Sequence, residues 1–184
     1  LVGSEMCIRD RRQHAPKAWE GMSASEKSEA LYDFTKESLA ELLDAGVEVG
    51  MVQVGNEING GMAGEWSTNG RNQLMNAGSA AVRATLPDAL VAVHFTNVSQ
   101  SDAKKYIREV CEGDTPVDFD VMAYSYYSYW HGSLENLSEL MADVRENFGK
   151  DVFIAETAYP FTTNNLDTHP NSVPNEWCDM KQDI

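Results

Sequence analysis

The feature that most constrains the fold is a regular alternation of short apolar runs with longer amphipathic stretches. Four apolar runs of strand type occupy residues 49–54, 90–95, 119–124 and 152–155. Their starts are separated by 41, 29 and 33 residues, and each interval has room for one helix and two turns. Apolar strands that alternate with helices in this way predict βαβ units and a parallel sheet buried on both faces.

The amphipathic stretches carry recognisable helix signals. Ser23 and Glu26 have the spacing of a capping box, in which each side chain satisfies an orphan N–H at the start of a helix. Five leucine and phenylalanine residues then keep one apolar face up to Gly46, which suits a left-handed helix end. Three later helices are predicted at residues 71–85, 102–112 and 134–148.

Polar and aromatic side chains crowd the carboxyl ends of all four predicted strands. They are Asn56, Glu57, His94, Asn97, Ser125, Tyr126, Tyr127, Trp130, His131, Glu156 and Tyr159. No strand is followed by a glycine-rich GxGxxG loop, so a dinucleotide-binding sheet is the weaker option. Catalytic groups lie at the carboxyl ends of the strands in a (β/α)8 barrel. The predicted fold class is therefore α/β, a (β/α)8 TIM barrel, here a partial barrel of four strands.

The composition narrows the partners that we expect. The 184 residues include 14 Lys and Arg against 29 Asp and Glu, which gives a formal net charge of −15 and a pI near 4.5. Nucleic-acid binding needs a basic surface, so we expect no nucleic-acid partner. No stretch approaches the roughly 20 consecutive apolar residues of a membrane span, so we expect no membrane partner. Cys7, Cys111 and Cys178 are too far apart to indicate a disulfide framework or a zinc site.

Two carboxylates follow two of the apolar runs directly. Glu57 comes after residues 49–54 and Glu156 after residues 152–155, where a charged side chain is costly unless it faces a polar cleft. Either residue alone is best interpreted as a solvated loop residue or an ion-pair partner. Two of them at corresponding strand ends, surrounded by aromatic residues, favour cleavage of a sugar bond by acid/base and nucleophilic chemistry. The nearby Trp and Tyr residues suit the apolar faces of pyranose rings.

Three motifs make a family resemblance specific. They are MVQVGNEINGGM at 51–62, SYYSYWHG at 125–132 and ETAYPFTTNN at 156–165. Together they resemble glycoside hydrolase family 53, the endo-β-1,4-galactanases, which are retaining (β/α)8 glycosidases. Residues 16–22, 31–39 and 90–97 also resemble bacterial members, and the resemblance covers about residues 13–175. The Asn-Glu pair alone is shared by many related glycosidases.

The resemblance implies a role for each of three residues. Glu57 matches the general acid/base at the end of the fourth strand of the barrel, and Glu156 matches the nucleophile at the end of the seventh. Asn56 matches the residue that hydrogen-bonds the sugar 2-hydroxyl. Glu57 must then hold a proton at the working pH while Glu156 stays ionised. We expect retention of the anomeric configuration and a separation of about 5–5.5 Å between the two carboxyl groups.

Four flanking residues are candidates for substrate binding. His94 and His131 are predicted to line sugar subsites, although His94 equally suits a satisfied histidine at the top of the core. Tyr126 is predicted to orient the nucleophile or to contact sugar. Trp130 is the preferred candidate for a stacking platform. Many family members continue from the Asn-Glu pair to Leu-Trp-Pro, whereas this chain departs from that pattern, and Trp66 receives no assignment.

A polar loop after Glu156 resembles the calcium loop of some bacterial family members. Oxygen donors recur at every second position, at Asn165, Asp167, His169 and Asn171. Alternating donors of this kind can wrap a hard cation. Asn165 stands where the family pattern has Asp, which removes one negative charge. A polar loop without an ion is the alternative, and no cofactor is expected for the chemistry itself.

The four strands account for half of a barrel. Residues 1–12 are predicted to be a non-native leader, and residues 13–184 to be part of a catalytic domain. The resemblance implies that its strands are the fourth to the seventh, so that strands one to three and strand eight are missing. We expect this chain to be inactive alone and the complete enzyme to be a monomer. Resemblance to secreted enzymes is the only ground for expecting an extracellular protein.

Three other functions stay open. A non-catalytic carbohydrate-binding relative would keep the aromatic platform without turnover, although both carboxylates are present. A metal-dependent (β/α)8 hydrolase using His94, His131 and a Glu is disfavoured, because the chain has no HxH or HExxH pair. The closest alternative is an endoglycanase that acts on another β-linked polysaccharide.

Overall fold

A computed structural model describes residues 13–96, 98, 100–127 and 131–158 of the chain. Four helices alternate with four strands. The helices are α1 (Ala24–Asp44), α2 (Thr68–Thr85), α3 (Gln100–Cys111) and α4 (Leu134–Phe148). The strands are β1 (Met51–Val54), β2 (Leu90–Phe95), β3 (Val121–Tyr127) and β4 (Asp151–Ala158), and a short 3-10 turn at Lys17–Trp19 precedes α1.

The helix ends confirm the signals that predicted them. Ser23 and Glu26 form the capping box: Glu26 Oε2 accepts the Ser23 N–H at 2.8 Å, and Ser23 Oγ accepts the Glu26 N–H at 3.3 Å. Gly46 and Gly149 adopt left-handed φ values of 76° and 63° after α1 and α4. α2 starts three residues earlier than predicted, because Ser67 Oγ caps it by accepting the Gly70 N–H.

The four strands form one parallel sheet, as the alternation predicted, and their order in the sheet is β1-β2-β3-β4. Two strands were predicted too short at their carboxyl ends. β3 continues through Ser125, Tyr126 and Tyr127, and β4 continues through Glu156, because these residues pair with one another across the sheet. The prediction ended each strand where polar residues interrupt the apolar run. The backbone hydrogen bonds between β3 and β4 continue beyond those polar residues.

The two faces of the sheet differ in what covers them. Val91, Val93, Phe95, Met122 and Tyr124 face the helices and join one large core with residues of α1, α2, α3 and α4. Ala92, Val121 and Ala123 form a separate small cluster on the opposite face, which we call the inner face. Helices on one face of a sheet whose strands follow chain order indicate a segment of a barrel, since a doubly wound sheet carries helices on both faces.

An ion-pair cluster holds the amino ends of two strands together. Arg83 of α2 contacts Asp120 at 2.8 Å and Asp118 at 3.2 Å. Asp120 Oδ2 also accepts the Val91 N–H at the start of β2, at 2.8 Å. These charge-assisted bonds lower the pKa of Asp120 and fix the register of β3 against β2.

Among the described helices, none has the length and apolar character needed to cross a lipid bilayer.

Candidate active site

Glu57 lies in a strained turn directly after β1. Gly55 has a φ of 84° and Glu57 a φ of 46°, a left-handed conformation that is uncommon for a residue with a side chain. The next residue, Ile58, donates its N–H to the carbonyl of His94 at 3.0 Å and is fully buried. Its burial and this bond fix the turn on β2, so the partly buried Glu57 side chain is held at the carboxyl end of the sheet.

Gln13 ties the amino-terminal segment to this turn. Its Nε2 donates to the carbonyl of Asn56 at 2.6 Å and to that of Glu57 at 3.4 Å. Its own carbonyl accepts the N–H of Gly64 at 2.7 Å. The sequence analysis missed Gln13, since a contact 43 residues away along the chain leaves no local pattern.

Asn59 joins the end of the same turn to β2. Its Oδ1 accepts the Thr96 N–H at 2.7 Å, and its Nδ2 donates to the Thr96 carbonyl at 2.8 Å. Arg71 of α2 reaches the Asn59 carbonyl at 3.4 Å while it pairs with Glu109 of α3 at 2.9 Å. The loop that carries Glu57 is therefore bound on both sides by neighbouring elements.

His94 is the centre of a buried polar network on the inner face. Its Nδ1 lies 3.0 Å from Asn56 Oδ1 and 3.1 Å from Gln53 Nε2, and its Nε2 lies 2.9 Å from Ser125 Oγ. A proton on Nδ1 would be donated to Asn56 Oδ1 and leave Nε2 to accept from the Ser125 hydroxyl, whereas a proton on Nε2 would leave Nδ1 to accept from Gln53 Nε2. In either tautomer the ring faces the amide oxygen of Asn56.

The structure places His94 as a satisfied core histidine. It is fully buried, and both ring nitrogens have protein partners, which favours the second of the two interpretations that the sequence left open. Its role in binding sugar stays a prediction. Burial lowers the pKa of His94 to about 4, and the negative charge of Glu57 opposes that shift. His94 is therefore neutral near pH 7. Its two ring nitrogens hold the side chains of Asn56 and Ser125 in place by hydrogen bonds.

Glu156 reaches the inner face through a β-bulge. Tyr124 pairs with Ile154 and Ser125 pairs with Glu156, so Ala155 is an extra residue in β4. Ile154 packs against the helix-side core and Ala155 against the inner-face cluster. Because strand side chains alternate, an unbroken β4 would turn Glu156 toward the helices. The bulge reverses the alternation and places Glu156 beside Ser125 and Tyr127.

Tyr127, and not Tyr126, contacts the Glu156 carboxylate. The Tyr127 hydroxyl donates to Glu156 Oε2 at 3.0 Å. Tyr126 belongs to the helix-side core, where its hydroxyl donates to the Gly132 carbonyl at 2.9 Å. Because side chains alternate along β3, Tyr126 does not contact Glu156, which it was predicted to orient, and its alternative role in contacting sugar stays a prediction.

His131 lies next to the end of β3 and is almost fully buried. Its Nδ1 accepts the Tyr127 N–H at 3.0 Å, so a neutral ring carries its proton on Nε2. Burial lowers the pKa of His131, while the charge of Glu57 and a hydrogen bond with the Ser125 main chain oppose the shift. The His131 ring lies 5.9 Å from the ring of Tyr127, which contacts Glu156. Glu57 follows β1 and Glu156 lies near the end of β4, so both glutamates are at the carboxyl end of the parallel sheet.

Several predicted site residues lie outside the described ranges. They are Trp130 and the four residues of the predicted calcium loop, Asn165, Asp167, His169 and Asn171. Within residues 13–96, 98, 100–127 and 131–158, no three His, Cys, Asp or Glu side chains group together in the manner of metal ligands.

The sequence of the whole chain matches a known family. The profile of glycosyl hydrolase family 53 aligns with residues 8–183. The chain belongs to this family. The match includes residues 8–12, and the interpretation of residues 1–12 as a non-native leader stays a prediction.

A family 53 catalytic domain from Ignisphaera aggregans superposes with a TM-score of 0.77 at 30% identity, over 94% of this chain and 47% of that one. Family 53 membership and this superposition establish the sheet as part of a (β/α)8 barrel.

Relatives of family 53 with assigned activities are similar over most of the chain. An endo-beta-1,4-galactanase of Bacillus subtilis is 45% identical over 163 residues, which cover 89% of this chain and 38% of that enzyme. An arabinogalactan endo-beta-1,4-galactanase of Cellvibrio japonicus is 33% identical over 177 residues, 87% of this chain and 46% of the enzyme. A solved chain from a structural study of two fungal beta-1,4-galactanases shares the fold, with a TM-score of 0.75 at 24% identity, over 82% of this chain and 48% of that one. The chain spans less than half the length of these relatives.

Proposed function

We propose that the protein is a retaining endo-β-1,4-galactanase that uses Glu57 as general acid/base and Glu156 as nucleophile. The observation that carries this proposal is the Glu156 bulge. It turns a carboxylate that alternation would direct toward the helices onto the inner face, at the end of the sheet where Glu57 lies. Family membership supports a glycosidase, and the names of the B. subtilis and C. japonicus relatives support galactan as the substrate.

The proposed reaction has two displacement steps. The Glu156 carboxylate attacks the anomeric carbon, and the bond to the leaving-group oxygen breaks as Glu57 gives that oxygen its proton. A water molecule then attacks the same carbon, Glu57 takes a proton from the water, and the ester bond to Glu156 breaks. Two inversions at one carbon give net retention.

The described contacts suit these roles. The Tyr127 hydroxyl donates to Glu156 Oε2 at 3.0 Å, which orients the attacking carboxylate. The His94 network holds the Asn56 amide through its oxygen, and the resemblance implies that this amide hydrogen-bonds the sugar 2-hydroxyl. The hydrogen bonds of Gln13 and Ile58 keep Glu57 in its left-handed turn.

Product stereochemistry tests the mechanism. We expect proton NMR of the first products from galactan, recorded before mutarotation, to show the β-anomer. The assay uses the protein expressed from its full reading frame, and a panel of galactan, xylan, mannan and cellulose tests the substrate. An α-anomer as first product contradicts the double displacement, and preference for another polymer contradicts galactan.

Calcium binding and secretion are further proposals that rest on the sequence alone. Loop 165–171 supplies alternating oxygen donors, so we expect calcium to raise the melting temperature of the protein. An Asp167→Ala variant is expected to lose that increase. An unchanged melting temperature of the parent protein in the presence of calcium contradicts the proposal. The extracellular location rests on resemblance to secreted enzymes, and detection of the protein in culture medium tests it.

A further inference from the structure

The loop that follows Glu57 ends in a rigid hairpin. Met62 and Glu65 exchange both backbone hydrogen bonds, at 3.0 and 2.9 Å. Between them Ala63 and Gly64 have φ values of 46° and 78°. Left-handed conformations at both central residues define a tight turn of type I′, whose geometry leaves little freedom to the residues beside it.

Two contacts fix this hairpin to the rest of the fold. Lys27 of α1, which is only 6% exposed, pairs with Glu65 Oε1 at 2.6 Å. The Gly64 N–H donates to the Gln13 carbonyl at 2.7 Å. An ion pair buried to this degree holds its partners in one arrangement, so the residue after Glu65 has a fixed position.

Trp66 is that residue, and it is exposed although its position is braced. Its indole is 57% exposed. The ring lies against the backbone of Gly61, where a Cβ atom would come within 2.7 Å of ring atom Cε3. The imidazole of His14 meets the ring edge-on, with centroids 6.0 Å apart. A large aromatic ring that is supported by backbone and open to solvent is a preorganised binding surface.

The same contacts connect Trp66 with the proposed catalytic residue. Gln13 bonds to the carbonyls of Asn56 and Glu57, and the next residue, His14, touches Trp66. The loop therefore begins at the group that protonates the leaving oxygen and ends at the exposed indole. Glu57 in its proposed role meets the leaving-group oxygen, on the side of the anomeric carbon opposite the nucleophile, so a ring held by the Glu57 loop is suited to bind the leaving-group sugars.

We propose that Trp66 is a sugar-stacking platform on the leaving-group side of the cleft, where it binds one galactopyranose ring of the polymer. This inference rests on the proposed galactanase function. The axial 4-hydroxyl of galactose leaves one face of the ring with only C–H groups, and such an apolar face stacks on an indole. The platform adds contact to a long substrate, whereas a substrate without leaving-group sugars does not reach it.

Two substrates separate this platform from the catalytic centre. Galactan fills both sides of the scissile bond, whereas β-galactobiosyl fluoride has a single fluorine atom as its leaving group. For Trp66→Ala we expect the ratio of kcat/KM on galactan to kcat/KM on the fluoride to fall roughly fivefold, the factor that about 1 kcal/mol of lost stacking implies. The change is expected in the KM for galactan. Phe34→Ala is the matched control, because Phe34 of α1 is also 57% exposed and lies outside the loop.

Two substitutions that keep a large apolar side chain serve as the test if Trp66→Ala fails to fold. Trp66→Phe retains a flat ring and is expected to keep most of the ratio, whereas Trp66→Leu is apolar without being flat and is expected to lose it. An unchanged ratio in Trp66→Leu, or an equal loss in Phe34→Ala, overturns the proposal. If the parent protein hydrolyses neither substrate, the proposed function itself fails and the platform fails with it.

Discussion

The buried imidazole of His94 makes the stability of the protein depend on pH. Burial lowers the pKa of His94 to about 4, from an ordinary value of 6.5 that the unfolded chain retains. Between these values the unfolded chain binds a proton that the folded protein does not. Stability is therefore lost as the pH falls from about 6.5 to about 4, and the difference of about 2.5 pKa units corresponds to about 3 kcal/mol.

A His94→Gln substitution removes this dependence. Glutamine stays neutral throughout, and its amide can still bond to the Ser125 hydroxyl. The variant starts less stable at pH 7, because it loses the contact with Asn56 Oδ1. Between pH 7 and pH 4 we expect the variant to lose about 3 kcal/mol less than the parent protein. Urea unfolding at several pH values, followed by circular dichroism, measures the difference on proteins expressed from the full reading frame.

The comparison isolates His94 because every other titrating group is common to both proteins. Burial also lowers the pKa of His131, but His131 is present in both proteins. Equal losses of stability in the two proteins between pH 7 and pH 4 would refute the account. So would a midpoint near 6.5 for the His94 ring protons in an NMR titration.

Three further substitutions test the site and its support. Tyr127→Phe removes the hydroxyl that binds Glu156, a bond to a charged group worth about 1.5–3 kcal/mol, so kcat is expected to fall roughly tenfold to a hundredfold. Unchanged kinetics at unchanged stability would contradict that role. Gly55→Ala forces a side chain into a φ of 84°, and we expect thermal unfolding to show a loss of about 1–3 kcal/mol. Lys27→Met leaves Glu65 without its partner, at an expected cost of about 3 kcal/mol in urea unfolding, and Lys27→Met with Glu65→Leu should recover most of it.

Local sequence signals were sufficient for the order and type of the elements. Ser23 and Glu26 marked the start of α1, and Gly46 and Gly149 marked helix ends, because capping depends on neighbouring residues alone. The spacing of the apolar runs predicted that the sheet is parallel. The family motifs directed attention to the two glutamates, which the fold brings to one end of the sheet.

The remaining features depend on register and on distant contacts. A single extra residue, Ala155, decides which face Glu156 occupies, and the apolar run gave no sign of it. Small residues such as Ala123 mark the inner face, and alternation from Ala123 places Tyr127, and not Tyr126, on that face. The role of Gln13 depends on a turn more than 40 residues away.

Covalent trapping tests the central proposal most directly. A 2-deoxy-2-fluoro-β-galactobiosyl fluoride slows release of the sugar from the nucleophile, so the glycosyl ester accumulates. After digestion with protease, mass spectrometry is expected to find the added sugar on Glu156, and a Glu156→Ala variant is expected to stay unlabelled. A label on any other residue, or none on a protein that hydrolyses galactan to the inverted anomer, would contradict the double displacement.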